Sequence, residues 1–209
     1  MITANDALNR LRDGNRRFVA DTAGRETDTG ARRRSAIADG QEPFAAILGC
    51  SDSRVPVEIV FDQGLGDLFV IRVAGNIVAP SQVGSVEFAA ERFGIQLVVV
   101  LGHSKCGAIL ATLEQLQRPS ESQSRNLSSI VDRVRPSIEG LLAPGLNHDP
   151  EELVHRAVRA NIRASANHLR NGSQVIEQLI RNQGLIVVGA EYSLETGEVE
   201  FFDGIPASD

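Results

Sequence analysis

Phe44-Ala45-Ala46-Ile47-Leu48-Gly49-Cys50-Ser51-Asp52-Ser53-Arg54 is an apolar run that stops abruptly at polar residues able to do chemistry. Apolar and small residues follow one another without alternation, so the run reads as a strand covered on both faces, as in parallel sheets flanked by helices. Similar runs follow at Leu68–Val73, Leu97–Leu101 and Leu185–Val188. Between them the apolar positions take helical spacing, at Val83–Phe93, Ala108–Leu116, Pro150–Leu169 and Gln174–Asn182. Such alternation predicts an α/β fold, a mostly parallel sheet of about four strands flanked by helices. An antiparallel edge strand is added by a hairpin whose arms, Ala190–Leu194 and Glu198–Phe202, flank Glu195-Thr196-Gly197.

Toward the N-terminus, residues 4–20 carry one apolar stripe and predict a first helix, followed by the Thr-, Gly- and Asp-rich Asp21–Gly30 and a short helical stretch to Ile37. Residues 1–38 are read as an N-terminal helical arm and 39–209 as the α/β core of one domain, without internal repeats. The long helix has a written start, with Asp149 at the N-cap, Pro150 at the first position and Glu152 where a capping box places it. Gln117–Asn126 is polar and reads as a loop.

A formal net charge of −6 over 209 residues excludes a nucleic-acid footprint. The short basic run Arg32–Arg34 lies near Arg25, Glu26 and Asp28 and reads as a solvated face. No apolar run approaches the roughly 20 residues of a membrane span, and the first residues lack the pattern of a secretory signal. The expected compartment is therefore the cytoplasm, with no membrane partner.

The chain has two cysteines, Cys50 and Cys106, and a lone pair in a reducing compartment points to metal or catalysis. Cys50 follows the first strand; Gly102-His103-Ser104-Lys105-Cys106-Gly107 follows the third. Both loops sit at carboxyl ends of strands, the edge where open parallel sheets bind ligands. Two thiolates and an imidazole suit one zinc ion per chain, and three firm ligands leave the fourth place for water. Asp52 stands at that fourth position: it either ligates the metal or accepts a hydrogen bond from the metal's water. Arg54 decides between these, since a bidentate pair with Asp52 would hold the carboxylate off the metal. Taken singly, each cysteine and His103 would be an ordinary buried residue, and Asp52 with Arg54 would merely cap a turn. Gly64-Leu65-Gly66 and Gly75-Asn76 lack phosphate-loop spacing and read as tight turns or close backbone approach near the metal. His148, His155 and His168, in or beside the long helix, read as solvent-facing.

The segments Cys50–Pro56 and Gly102–Gly107 resemble the two signatures of the β-class carbonic anhydrases. The resemblance runs from Leu11–Phe18 through Gly66–Asn76 to Gly189–Tyr192, nearly the whole chain. It implies reversible hydration of carbon dioxide to bicarbonate and a proton by attack of zinc-bound hydroxide, oriented by an Asp52–Arg54 dyad. It also implies that Gln41 donates a hydrogen bond to substrate and that Phe69, Ala74 and Phe88 line a small apolar pocket. Ala74 and Phe88 stand where some members carry valine and tyrosine. An inhibitory bicarbonate site in some bacterial members uses a tryptophan, an arginine and a tyrosine; here Ile47 replaces the tryptophan, with Arg72 and Tyr192 at the other places, so regulation is expected to be weak or absent. The family implies a homodimer or dimer of dimers, with residues 4–20 packing across the partner and the pocket formed at the subunit contact. The rival readings are a hydrolase of carbon disulfide or carbonyl sulfide on the same fold, and a non-catalytic zinc module with Asp52 permanently on the metal.

Overall fold

The computed structural model describes residues 2–22, 30–118, 124–143 and 149–206. Five strands form one sheet, β1 (Ala45–Gly49), β2 (Leu68–Arg72), β3 (Leu97–His103), β4 (Ile186–Tyr192) and β5 (Val199–Asp203), in the order β2-β1-β3-β4-β5. The pairs β1–β2, β1–β3 and β3–β4 are parallel, and only β4–β5 is antiparallel, as the sequence predicted. Every residue of β1 and β3 is buried, which explains their unalternating apolar composition.

The strand period divides those residues between two cores. Ala46 and Leu48 of the first strand and Cys50 just after it, with Val98 and Val100 of the third, face one layer, which also takes in Val86, Ile109, Val134, Ile162 and Ile176. These come from helices α4 (Pro80–Phe93), α5 (Gly107–Gln117), α6 (Arg125–Ile138), α7 (Pro150–Asn171) and α8 (Gln174–Gln183). On the other face Ala45, Ile47, Leu97, Val99 and Leu101 meet Leu8 and Leu11 of α1 (Ala4–Val19) and Val57 and Val60 of α3 (Val57–Val60).

The arm is docked on its own chain. Gly14 lies so close to Phe61 that a Cβ there would come within 1.8 Å of the Phe61 carbonyl oxygen. Asn15 donates from Nδ2 to the carbonyls of Val60 (3.1 Å) and Gly197 (2.9 Å) and accepts from the Val199 N–H (2.9 Å). The buried stripe of this helix packs within its own subunit. The short α2 (Ala31–Ala36) buries no residue, in keeping with a solvated basic face; Arg25, Glu26 and Asp28 lie outside the described residues.

Three sequence expectations need correction. Leu185–Val188 and Ala190–Leu194, read as separate strands, are one strand, β4, which runs through Gly189 with a bulge in its pairing to β5 at Gly189/Ala190. Arg125 and Asn126 open α6 and do not belong to a loop; Ser124 caps this helix by accepting from the Asn126 N–H (3.3 Å), while residues 119–123 lie outside the described residues. The helix α3 was not foreseen at all. The start of α7 is as written: the Asp149 carboxylate accepts from the N–H groups of Glu151 (3.1 Å) and Glu152 (3.4 Å). His155 and His168 are exposed, and His148 lies outside the described residues. Among the described residues, no helix is long and apolar enough to cross a membrane.

Candidate metal centre

Parallel pairing sets Gly49 beside Leu101 and so brings the ends of β1 and β3 together. Cys50 leaves the first strand there. His103 is the last residue of β3, not part of a helix, and Cys106 is the N-cap of α5. One metal-ligating atom from each of Cys50, His103 and Cys106 lies within 4.8 Å of the others, and all three residues are buried. The two sulfurs are 3.9 Å apart.

The donor set fits a zinc ion. The Nδ1 of His103 bonds the Ser104 carbonyl at 2.9 Å, which makes Nδ1 the protonated nitrogen and leaves a lone pair on Nε2. That Nε2 is buried and has no hydrogen-bond partner, a costly state for a polar atom unless it ligates. The hydrogen bond that joins the two thiols through one proton pushes Cys50 down, with His103 and the Gly75 N–H helping against burial. Cys106 is pushed up by the same bond and by burial. A divalent cation would replace that proton and be held by two thiolates and one imidazole, a set that selects zinc.

Two supports were only half legible in sequence. After β2, the turn Ala74–Asn76 aims the Gly75 N–H at the Cys50 sulfur, 3.3 Å away. Gly75 has φ +70°, and a Cβ there would meet the Ala108 Cβ at 3.0 Å, so close approach does require glycine. The Asn161 side chain of α7, which nothing in the sequence singled out, fixes this turn by donating to the Gly75 carbonyl at 2.8 Å. Arg72 donates from Nε to the Cys50 carbonyl (3.0 Å) and from Nη2 to the Asp52 carbonyl (2.6 Å), clamping the loop between them.

Asp52 stands beside the cluster, its Oδ2 3.8 Å from His103 Nε2. Its carboxylate is held bidentately by Arg54, Nε to Oδ1 at 2.8 Å and Nη2 to Oδ2 at 2.7 Å, with the Arg54 N–H adding a bond to Oδ1 at 3.0 Å. The guanidinium holds the Asp52 carboxyl well below the usual carboxylate range, and the carboxylate in turn raises the pKa of Arg54.

Ala74 adjoins Cys50 through the same turn. Gln41, Phe69 and Phe88 are not brought to the cluster within one chain. Gln41 is exposed at the far end of β1, a strand's length or roughly 16 Å away, in a cavity of about 510 Å³ with Ile2, Phe44, Arg92 and Gln96. The rings of Phe69 and Phe88 pack against each other and Phe93, centroids 5.8–6.1 Å apart, and Phe88 remains 53 % exposed.

Fold and cluster together define an α/β protein with a cluster that could hold a metal ion at the carboxyl edge of its sheet. A family model described as carbonic anhydrase matches residues 45–199. A carbonic anhydrase of Mycolicibacterium smegmatis is 40 % identical over 191 residues, covering 91 % of this chain and 89 % of that protein. Carbonic anhydrase 2 of Mycobacterium tuberculosis is 36 % identical over 195 residues, covering 93 % and 91 %. A tetrameric β-carbonic anhydrase of Sordaria macrospora shares the fold, with a TM-score of 0.74 at 24 % identity over 94 % of this chain and 97 % of that one. The chain belongs to the β class of the carbonic anhydrase family and is an enzyme of that family.

Proposed function

We propose that the chain reversibly hydrates carbon dioxide to bicarbonate and a proton, with zinc held by Cys50, His103 and Cys106 and with Asp52 and Arg54 as its working dyad. The observation that carries this is the convergence of the Cys50 and Cys106 sulfurs with a buried, unpartnered His103 Nε2, with the Asp52 carboxylate beside them and turned to Arg54. Zinc bound there would lower the pKa of a coordinated water toward about 7, making the nucleophile available at neutral pH. Asp52, kept ionised by Arg54, can only accept a hydrogen bond, so it would orient a water or hydroxide held at the metal by accepting one of its protons. Arg72 keeps the Cys50–Asp52 loop in the register that this needs.

The bidentate Arg54 pair also speaks against a non-catalytic zinc module, which would need the carboxylate on the metal. Carbon dioxide is small and apolar, and Ala74 beside Cys50 suits it. Gln41, Phe69 and Phe88 reach a substrate only from a second copy of the chain, so the active form is a homodimer or a dimer of dimers. The exposed Phe88 ring and the tetrameric state of the Sordaria macrospora enzyme support that assembly.

Stopped-flow hydration of carbon dioxide between roughly pH 6.5 and 9, with zinc measured on the same sample, tests the reading. One zinc per chain without hydration would sink it; turnover of carbon disulfide in its place would move the substrate and keep the metal.

A further inference from the structure

We propose that Glu195, on the β4–β5 hairpin and outside the metal cluster, is a positioning residue for His103 and Cys106. The inference rests on the metal reading of that cluster. Two residues, Ser104 and Lys105, connect the two ligands, so the shape of this connection sets where the imidazole and the second thiolate stand relative to each other. Lys105 is in the left-handed region, φ +54°, a conformation disfavoured roughly tenfold for a residue bearing a Cβ. Something must hold it there.

The Glu195 carboxylate spans the connection. Its Oε1 pairs with Lys105 Nζ at 2.5 Å, and its Oε2 accepts from Ser104 Oγ at 2.8 Å. Ser104 is fixed from the same hairpin by two more bonds: its Oγ accepts from the Leu194 N–H (3.0 Å) and its N–H donates to the Tyr192 carbonyl (2.9 Å). The Ser104 carbonyl is the group that sets the His103 tautomer. The chain of contacts therefore runs from Glu195 through Ser104 to the imidazole, and through Lys105 to Cys106. Ser193 Oγ gives the same carboxylate a further bond at 3.3 Å. Lys105 and Glu195 are 66 % and 47 % exposed, so as an ion pair they add little to global stability. Their consequence lies in ligand geometry. Lys105 and Ser104 also keep the Glu195 carboxyl ionised, lowering it to about 2.

The test compares zinc-loaded wild type, Glu195→Ala and Glu195→Ala with Lys105→Gly. It follows zinc release to an excess of chelating dye, the charge-transfer spectrum of the cobalt-substituted proteins, and the melting temperature of each apoprotein. Glu195→Ala should release zinc about tenfold faster, the low end of what groups supporting metal ligands contribute. Its cobalt spectrum should shift and its apoprotein melting temperature should stay at the wild-type value. Glycine takes a positive φ without penalty, so the double variant should recover the part of the loss that passes through Lys105 and release zinc more slowly than Glu195→Ala alone. An unchanged rate in Glu195→Ala overturns the inference, as does a faster rate that comes with an unshifted cobalt spectrum or that only tracks a fall in apoprotein melting. A wild-type chain that takes up no zinc sinks the metal reading and this inference with it; the variant outcomes sink the inference alone.

Discussion

Asp52 has two possible partners, and at the residue scale its charge state follows from which one it holds. Arg54 stabilises the ionised form, so the folded carboxyl titrates below its ordinary value of 3.8. The interaction is then fully present above about pH 4 and is lost only as pH falls through the lower folded value. Between about pH 5 and 9 the hydration profile should carry no limb from Asp52. Arg54→Ala frees the carboxylate to turn toward the metal. Hydration at pH 8 should drop about 10- to 100-fold while zinc stays at one per chain, as stopped-flow rates and metal analysis on one sample would show. Wild-type turnover in that variant would remove Arg54 from the mechanism. Bicarbonate regulation is argued at the same scale. Ile47 is fully buried in the layer under α1, Arg72 is committed to the Cys50 and Asp52 carbonyls, and Tyr192 is buried with its ring 6.5 Å from that of Phe18. Ile47 offers no polar group and Arg72 is held in its clamp, so initial hydration rates should fall only as expected for product inhibition as bicarbonate is added. Steep, sigmoidal inhibition would show that Arg72 leaves its clamp.

Elements with uniform burial or a clear apolar stripe were legible in the sequence, and short or interrupted ones were not. β1 and β3 are covered on both faces, so composition alone betrays them. In α6 only Val131, Val134 and Ile138 are buried among Arg, Ser and Asp, and Pro136 interrupts the pattern, so no helical stripe stands out there and its first two residues read as the end of a polar loop. Gly189 made β4 look like two strands, although the real irregularity is a bulge in its pairing with β5. The four-residue α3 is too short to show any period, yet with Phe61 it forms the floor on which α1 rests. The junction of α1, α3 and the hairpin depends on Asn15, 6 % exposed, whose three bonds join Val60, Gly197 and Val199. Its place on a helix gave no hint of this, because the partners lie 45 to 184 residues away. Asn15→Ala leaves three backbone groups unpaired in or beside the core and should cost about 3 kcal/mol in urea unfolding with an unchanged m value. A loss under about 1 kcal/mol would mean that water satisfies those groups.

For the molecule as a whole, the legible part of the site is the part that one chain completes. Cys50, His103 and Cys106 announce themselves because strand ends place them, and the structure brings them within 4.8 Å of one another. Gln41 and Phe88 carried no such local signal, and one subunit leaves them away from the metal: the first at the opposite edge of the sheet, the second 53 % exposed beside Phe69 and Phe93. Substrate contacts that a single fold cannot supply must come from a symmetric copy or play no part in the reaction. Mixed assemblies separate these cases. Arg54→Ala removes the dyad from its own metal site, and Gln41→Ala removes the donor that a chain offers to its neighbour. In a mixed dimer the Gln41→Ala chain keeps an intact dyad and receives Gln41 from the Arg54→Ala chain, so one of the two sites is whole. If random pairing makes half of the dimers mixed, co-expression of the two variants should restore about a quarter of wild-type hydration, measured against each variant expressed alone. Activity no greater than the mean of the single variants would show that Gln41 acts within its own subunit or not at all.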